Sequence, residues 1–577
     1  MPSSPRHVIR WTTSLVVAFA LTWTTGGTAV AGTGSMPVLI KTTGPITPEV
    51  LDALKQNTIS ITFVWPEIRA LAAVVSPRKV ATLQADPLVA LVETDQEGGV
   101  MTDAPTSSST TPDGVATPFS TTTAPVITWN QDMANTPGPT ETGSGVTVAV
   151  IDGGLPQNWE EFLPADCMDL TYAVGFGAMG WGDFHNGIPA TNQGVGGYLG
   201  LFPHGVAVSS VIVGFPSEFG PIAGAAPDVR LIPIRILNQF NTAWFSWMTA
   251  GVMYAANLKA SGAVPGPMVI NFSMQATGSS QILKDAIDYA IAQGAIFVTI
   301  AGNFNPFSTV SFPGRLPEVI TAGAVGWTQE WSAPYPWFFA DVPENDASQV
   351  YVAPFSGREP LSVPAGSMID VLAPGSYVFG EWLFGHGYSE GRNVAFSDVD
   401  NFIFGTSFAA PHVVGIVARM LQKNPFLTQS DVETLLKTTA LPIPPSPGFG
   451  FYPGWDARAT GAGLAQGAEA VAATPLPPLV APGLRSGSAQ AVASAAVRVV
   501  TGGASTEFRI TGFGYQPHTL RVFDVQGRLV RHWPSSTSVR ETWDGARDDG
   551  TAAPSGVYFV VAKGGGLQRS AKLVLAR

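Results

Sequence analysis

The feature that most restricts the fold is a series of continuous apolar runs along the middle of the chain: Val146 to Ile151, Val229 to Leu237, Met268 to Phe272, Ile296 to Ile300 and Val319 to Val325. A strand with one wet face alternates apolar and polar residues. A run without alternation is buried on both faces, the habit of parallel strands covered by helices. Between the runs, Ser280 to Gln293 sets Ile282, Leu283, Ala286, Ile287, Ala290 and Ile291 on one helical face, the pattern of a helix lying on such a sheet. The expected fold class is α/β, a doubly wound and mostly parallel sheet.

At 577 residues the chain is several times a ~150-residue domain, and shifts in composition divide it. Arg6 and Arg10 precede the apolar run Leu15 to Trp23, and Ala29-Val30-Ala31 supplies small residues at a cleavage-like spacing. The run falls short of the ~18 residues a membrane span needs, so residues 1–31 read as a secretory signal peptide rather than a transmembrane anchor. The mature protein is expected to be secreted, extracellular or at the cell surface. Residues 37–97 carry strand-like and helical patterns sufficient for a small α+β unit. Residues 98–125, rich in Thr, Ser, Pro and Gly, read as a flexible linker. The sheet domain is expected over 126–473, a Pro-rich linker over 474–486, and an all-β sandwich over 487–577. In that tail Thr519 to Phe523 and Val557 to Val561 alternate, and Asp549-Gly550 marks a turn.

With 30 basic against 42 acidic residues and no basic block, nucleic acid is excluded as a partner. A single cysteine, Cys167, excludes an intrachain disulfide framework and cysteine-based metal sites. No HExxH, P-loop or GxGxxG context is present. Chemistry gathers instead at three places. Val150-Ile151-Asp152-Gly153 puts a carboxylate at a strand end, His204-Gly205 opens a helical stretch, and Gly405-Thr406-Ser407 stands just ahead of a helix carrying Val413, Ile416, Val417, Met420 and Leu421. Taken singly, Asp152 is an ordinary turn residue, His204 a surface histidine and Ser407 an N-cap. Together they supply the hydroxyl, imidazole and carboxylate that nucleophilic catalysis needs.

Val150-Ile151-Asp152-Gly153, His204-Gly205 and Gly405-Thr406-Ser407-Phe408-Ala409-Ala410-Pro411-His412 resemble the three signature segments of the subtilisin-like serine peptidases, in that family's order Asp, His, Ser. The resemblance implies a subtilisin-like fold over 126–473 and a secreted serine endopeptidase that forms an acyl-enzyme on Ser407, with His204 as proton carrier and Asp152 orienting it. Phe297 to Asn303 resembles the oxyanion-hole segment, which implies that the Asn303 amide meets the oxyanion. Ser273, Met274, Gln275, Gly302 and Ser311 are implied to bind protein or peptide substrates. Here the sequence departs from the family, reading Ser273-Met274-Gln275 where Ser-Leu-Gly is expected, and Val206-Ala207 where threonine and histidine usually follow His204-Gly205. The stretches Thr171 to Gly200 and Gly326 to Pro364 are read as insertions that decorate the rim of the cleft, with walling of the cleft as the alternative.

Residues 37–97 resemble the inhibitory pro-segment of these peptidases, so the chain's own N-terminal region is expected as an intramolecular inhibitor. Residues 487–577 resemble immunoglobulin-like modules of hook-capping and C-terminal sorting domains, which implies a cell-surface or sorting partner. No cofactor is required for the chemistry. The family often carries structural calcium, for which Asp183, Asp341 and Asp346 are the candidates, with solvated loop carboxylates as the alternative. The competing function is a catalytically inert, secreted surface-binding protein built on the same fold.

Overall fold

The computed structural model describes residues 34–100, 124–136, 141–155, 159–179, 182–189, 204–217, 220–238, 241–304, 309–330, 332, 337–380, 402–449, 452–477, 496–502, 505–511, 518–524, 526, 528–536, 540–564 and 567–575. The signal peptide expected over 1–31 lies outside them. Contacts divide the chain into two units, Met1–Pro475 and Leu476–Arg577.

The first unit begins with β1 (Met36–Thr42), α1 (Pro48–Lys55), β2 (Ser60–Trp65), β3 (Ala70–Val75), α2 (Pro77–Gln84), β4 (Val89–Thr94) and β5 (Glu97–Gly99). The first four strands form an antiparallel sheet ordered β2-β3-β1-β4. Because side chains alternate across a strand, Val38 and Ile40 pack with Leu54 of α1 and Leu83 of α2. Leu39 faces the other way with Trp65, Ala70 and Ala72, into a cluster shared with residues far along the chain.

There follow α3 (Trp129–Met133), β6 (Thr147–Asp152), β7 (Val174–Met179), β8 (Gly182–Pro189), α4 (His204–Val213), β9 (Gly214–Ser217), β10 (Gly220–Ala223), β11 (Arg230–Arg235), β12 (Thr242–Trp244), α5 (Phe245–Ser261), β13 (Met268–Phe272), α6 (Gln281–Ala292), β14 (Ala295–Ile300), β15 (Ile320–Trp327), β16 (Val350–Val352), β17 (Val371–Pro374), α7 (Thr406–Lys423), α8 (Gln429–Thr439) and α9 (Gly467–Ala473). A nine-stranded sheet runs β16-β15-β14-β13-β6-β11-β7-β8, with β17 also paired to β15. It is parallel except at β16 and β8. Each apolar run of the sequence is one of its strands. The doubly covered character is visible within β6 alone: Val148 and Val150 join Val206 and Val211 of α4 and Val413 and Ile416 of α7. Ala149 and Ile151 join Met248 and Val252 of α5 and Ile282 and Ile287 of α6. At β6 the strand order reverses, with β11 on one side and β13 on the other, and such a reversal opens a crevice at the strands' carboxyl ends.

Two expectations are corrected. Ser407 is not ahead of its helix but within the first turn of α7, which is buried from Thr406 to Leu421. The stretch Gly326 to Pro364 is not rim decoration: Trp327, Trp337, Phe338, Tyr351 and Val352 are buried in a third apolar cluster with Trp129. The Trp129 and Trp327 rings stack at 6.3 Å. Aromatic surface on this scale is stabilised far more by burial than by lying along a rim.

The second unit holds two antiparallel sheets, Ala496–Gly502 with Ser505–Thr511 and Arg540–Trp543, and Leu529–Ser536 with His518–Asp524, Gly556–Gly564 and Leu567–Leu575. Phe508 and Trp543 from the first share an apolar cluster with Leu520, Val522, Tyr558 and Val560 from the second. The buried polar tips are satisfied, since Trp543 Nε1 donates to the Ala546 carbonyl at 2.7 Å and Tyr558 Oη to that of Pro554 at 2.6 Å.

Close approach fixes α7 in place. A Cβ added at Gly415 would lie 2.3 Å from the Ala225 Cβ and 2.9 Å from its carbonyl carbon. Gly415→Val is therefore expected to destabilise the first unit by about 1–3 kcal/mol, the range for overpacking. A lowered thermal midpoint checks this, and an unchanged one contradicts the tight crossing.

Candidate active site

Asp152 ends β6 and is wholly buried. A buried carboxylate needs donors. Its Oδ1 accepts from the Gly153 N–H at 2.6 Å, and both its oxygens lie 2.9 Å from His204 Nδ1. With Nδ1 carrying the proton toward the carboxylate, the lone pair of the neutral ring is on Nε2. His204 opens α4, whose start rests on the Gly153-Gly154 turn: a Cβ at Gly205 would fall 2.6 Å from the Gly154 carbonyl oxygen. Glycine after the histidine is thus a packing requirement.

Ser407 is also wholly buried, and the His204 ring lies 5.5 Å from that of the adjacent Phe408. Ser407 Oγ and His204 Nε2 are both buried without a hydrogen-bond partner. The structure thus pairs Asp152 with His204 and sets the His204 ring against Phe408, the neighbour of Ser407, while Ser407 Oγ and His204 Nε2 make no hydrogen bond with each other. Ser407's carbonyl accepts from Ser273 Oγ at 3.0 Å, and that hydroxyl accepts from Asn271 Nδ2 at 3.0 Å.

Asn303 lies three residues beyond the end of β14, not within the strand. Its Oδ1 accepts from the Thr406 N–H at 2.9 Å and from Thr406 Oγ1 at 2.7 Å. That pair fixes which end of the amide is oxygen and leaves Nδ2 turned toward Gly405, where a Cβ would be 3.2 Å away. Thr406 as the anchor of Asn303 was not foreseen, although it stands in the motif beside Ser407. Gly405 in turn donates to the Gly375 carbonyl at 2.8 Å. Next to Gly375, Ser376 Oγ lies 2.7 Å from Tyr351 Oη, which donates to Glu330 at 2.7 Å. Burial pushes the Glu330 carboxyl up to about 8. Nothing in the sequence marked it.

Of the expected substrate residues, Met274 is buried in the apolar cluster of α5 and α6. Ser311 Oγ donates to the Ala301 carbonyl at 3.2 Å, and Gln275 Oε1 accepts from the Asn303 N–H at 2.7 Å. His412 packs in the core: Asn130 Nδ2 and His412 Nε2 are 3.0 Å apart, and Nδ1 is 2.7 Å from the Phe408 carbonyl. Burial pushes that imidazole down to about 4. Among the described residues no group of three or more His, Cys, Asp or Glu could hold a metal ion. Asp346 caps a turn, accepting from the Ser348 N–H at 2.9 Å.

Residues 98–100 correct the linker expectation, since they lie extended in this region. β5 pairs antiparallel with β12, Gly99 and Gln275 exchange hydrogen bonds of 2.8 and 2.9 Å, and Val100 donates to the Asn241 carbonyl at 3.0 Å. Glycines with no strand propensity are ordered there by partners on both edges. Residues 101–123 lie outside the described residues. Just before β5, two carboxylates meet helix N-termini, where N–H groups lack partners. Asp95 accepts from the Ser246 N–H of α5 at 3.0 Å, and Glu93 accepts from the Gln281 N–H of α6 at 3.1 Å and from Ser280 Oγ. Lys41 forms an ion pair with Asp285 on α6. Burial pushes Asp95 up to about 6.

Residues 143–471 match the Subtilase family. Subtilisin DY of Bacillus licheniformis is 28% identical over 315 residues, 54% of this chain and 88% of that protein. Subtilisin E of Bacillus subtilis (strain 168) is 28% identical over 377 residues, 65% of this chain and 76% of its own. The solved structure of fervidolysin from Fervidobacterium pennivorans, a keratinolytic enzyme related to subtilisin, shares the fold, with a TM-score of 0.52 at 20% identity over 94% of this chain and 76% of that one.

The carboxylate contact sets the tautomer of His204, so Asp152→Asn is expected to turn the ring's proton to the wrong nitrogen. Labelling of Ser407 by a fluorophosphonate should then slow by about 10³–10⁴-fold, measured by mass spectrometry of the labelled peptide against time. Equal labelling of variant and wild type would disconnect Asp152 from Ser407.

Proposed function

Because the chain belongs to the subtilase family, we propose that it is a secreted serine endopeptidase, made with an inhibitory N-terminal segment, that cleaves protein substrates through an acyl-enzyme on Ser407. The observation that carries this reading is the buried Asp152–His204 pair beside Ser407, with His204 Nε2 and Ser407 Oγ both buried and without hydrogen-bond partners. Ser407 Oγ adds to the scissile carbonyl carbon as its proton passes to His204 Nε2. Asp152 stabilises the imidazolium that forms. The carbonyl oxygen, now carrying negative charge, receives the Asn303 Nδ2–H, held in place by Thr406. Collapse breaks the carbon–nitrogen bond, and His204 returns the proton to the leaving amine. Water then adds to the ester carbonyl as His204 takes its proton, and collapse breaks the bond to Ser407 Oγ, which regains the proton from His204 as the acid product leaves. Serine, imidazole, carboxylate and amide supply the whole reaction, so no cofactor enters it.

Residues 37–97 act as the inhibitor. What supports this is the pairing of β5 with both β12 and Gln275, the way a substrate strand would lie, running antiparallel toward Ser273 and so toward Ser407. Glu93 and Asp95 hold the segment on α6 and α5. Export through residues 1–31 completes the reading, together with the finding that no helix among the described residues is long and apolar enough to cross a membrane. The immunoglobulin-like tail is assigned to a surface or sorting partner, and structural calcium on the loops would serve stability.

Ser407→Ala is expected to lower peptide hydrolysis by several orders of magnitude without unfolding the chain. N-terminal sequencing should find wild type starting beyond Val100 and the variant still carrying residues 37–97. Near-normal hydrolysis by the folded variant would favour a different nucleophile, and a wild type that hydrolyses nothing would favour the inert binding protein.

Asp95 gives the cleaved complex a pH dependence. Its carboxyl is raised to about 6 when buried on α5, so the protonated form favours the complex. The stabilisation is full below about 4, the ordinary aspartate range, and is lost as pH rises through 6. Gel filtration after processing should therefore retain more pro-segment on the enzyme at pH 5 than at pH 7.5, and Asp95→Asn should shrink the difference.

A further inference from the structure

Gln275 occupies the position where the family resemblance expects glycine, and its side chain does not point to solvent. At 2% exposure it crosses from the edge of the cleft to the segment after β14, where Oε1 takes the Asn303 N–H at 2.7 Å. Only oxygen can accept from an N–H, so this contact fixes the amide and leaves the other end as a donor. That end, Nε2, is buried without a hydrogen-bond partner. The space beside it is confined. Gly302 has φ +94, and a Cβ there would lie 2.9 Å from Gln275 Oε1 and 2.3 Å from Ser311 Oγ. The same amide is two contacts from the nucleophile, through Asn303 and then Thr406.

A chain in the cleft runs past Gln275 toward Ser273 and Ser407, as β5 does. Gln275, Gly302 and Ser311 stand together beside that path. We propose that the side chain preceding the scissile bond enters beside them and that Gln275 is a specificity-determining residue: it narrows the space for that side chain and offers it an amide donor, selecting unbranched, acceptor-bearing residues such as glutamine over aromatic ones. A buried donor left unpaired penalises substrates that cannot meet it, and discrimination of this kind is stronger than that from apolar fit alone. The proposal rests on Ser407 being the nucleophile.

The test uses the processed full-chain enzyme and peptides identical except for Gln, Met or Phe before the scissile bond. Wild type is expected to favour Gln over Met, its near-isostere, by about tenfold in kcat/KM, the worth of one hydrogen bond, with Phe poorest. Gln275→Glu keeps the oxygen that receives the Asn303 N–H but replaces the donor with an acceptor, so the Gln-to-Met ratio should fall to one or below. Gln275→Gly should raise Phe relative to Met by about tenfold. Ratios within each variant are unaffected by a general loss of rate. Equal rates for Gln and Met in wild type, a preference for Phe, or an unchanged ratio in Gln275→Glu would overturn the proposal alone. Absence of hydrolysis and of fluorophosphonate labelling in wild type would overturn the peptidase reading and this one with it.

Discussion

A carboxylate with no access to water must be hydrogen-bonded by its surroundings or it will not stay ionised, and Asp152 is placed under that demand at the end of the central strand. Its donors are the next N–H along the chain and an imidazole. Meeting the demand constrains much of the rest. The chain has to turn at once after Asp152, hence the paired glycines. The helix that brings His204 has to approach that turn closely, hence Gly205. The sheet must reverse its order at β6 so that a crevice exists there at all.

The second constraint is placement of the serine. Ser407 rides on a helix buried along nearly its whole length, fastened by contacts that are each unexceptional: Gly415 against Ala225, Gly405 on Gly375, Thr406 on Asn303. Because interiors pack at crystal-like density, Ser407 has little room to drift, and Asn303 is tied to the residue directly before it. The acid network of Glu330, Tyr351 and Ser376 buttresses the same segment from below.

The strands were legible because continuous apolar runs have one common explanation, and α6 because its apolar face repeats at helical spacing. The contact of Asp152 with His204 was legible because the motifs that carry them are specific. What failed did so for physical reasons. Thr-, Ser- and Gly-rich sequence carries no sign of order when the order comes from strands elsewhere in the chain, so residues 98–100 read as linker. The stretch after β15 read as decoration because its aromatics have no period, yet they fill a cluster with Trp129. Nothing in the sequence marked Glu93 and Asp95 as helix partners, since a helix end supplied by a distant segment cannot be seen from their neighbours. Gln275 was noticed as a departure and as an expected substrate residue, but its reach to Asn303 depends on a backbone that the sequence does not display.

The small N-terminal sheet has one core of its own and borrows another. Val38, Ile40, Leu54 and Leu83 form a cluster made by the segment alone. Leu39, Trp65, Ala70 and Ala72 are dry only while they lie in the cluster with α5 and α6. A segment that leaves bares this whole face to water, and a unit of this size has little surplus stability to bear the loss. Departure and unravelling thus become one event. Under the proposed function the unravelled chain would be food for a free peptidase, and the arrangement would act as a ratchet: what begins as a reversible fit between two surfaces ends with one of them destroyed.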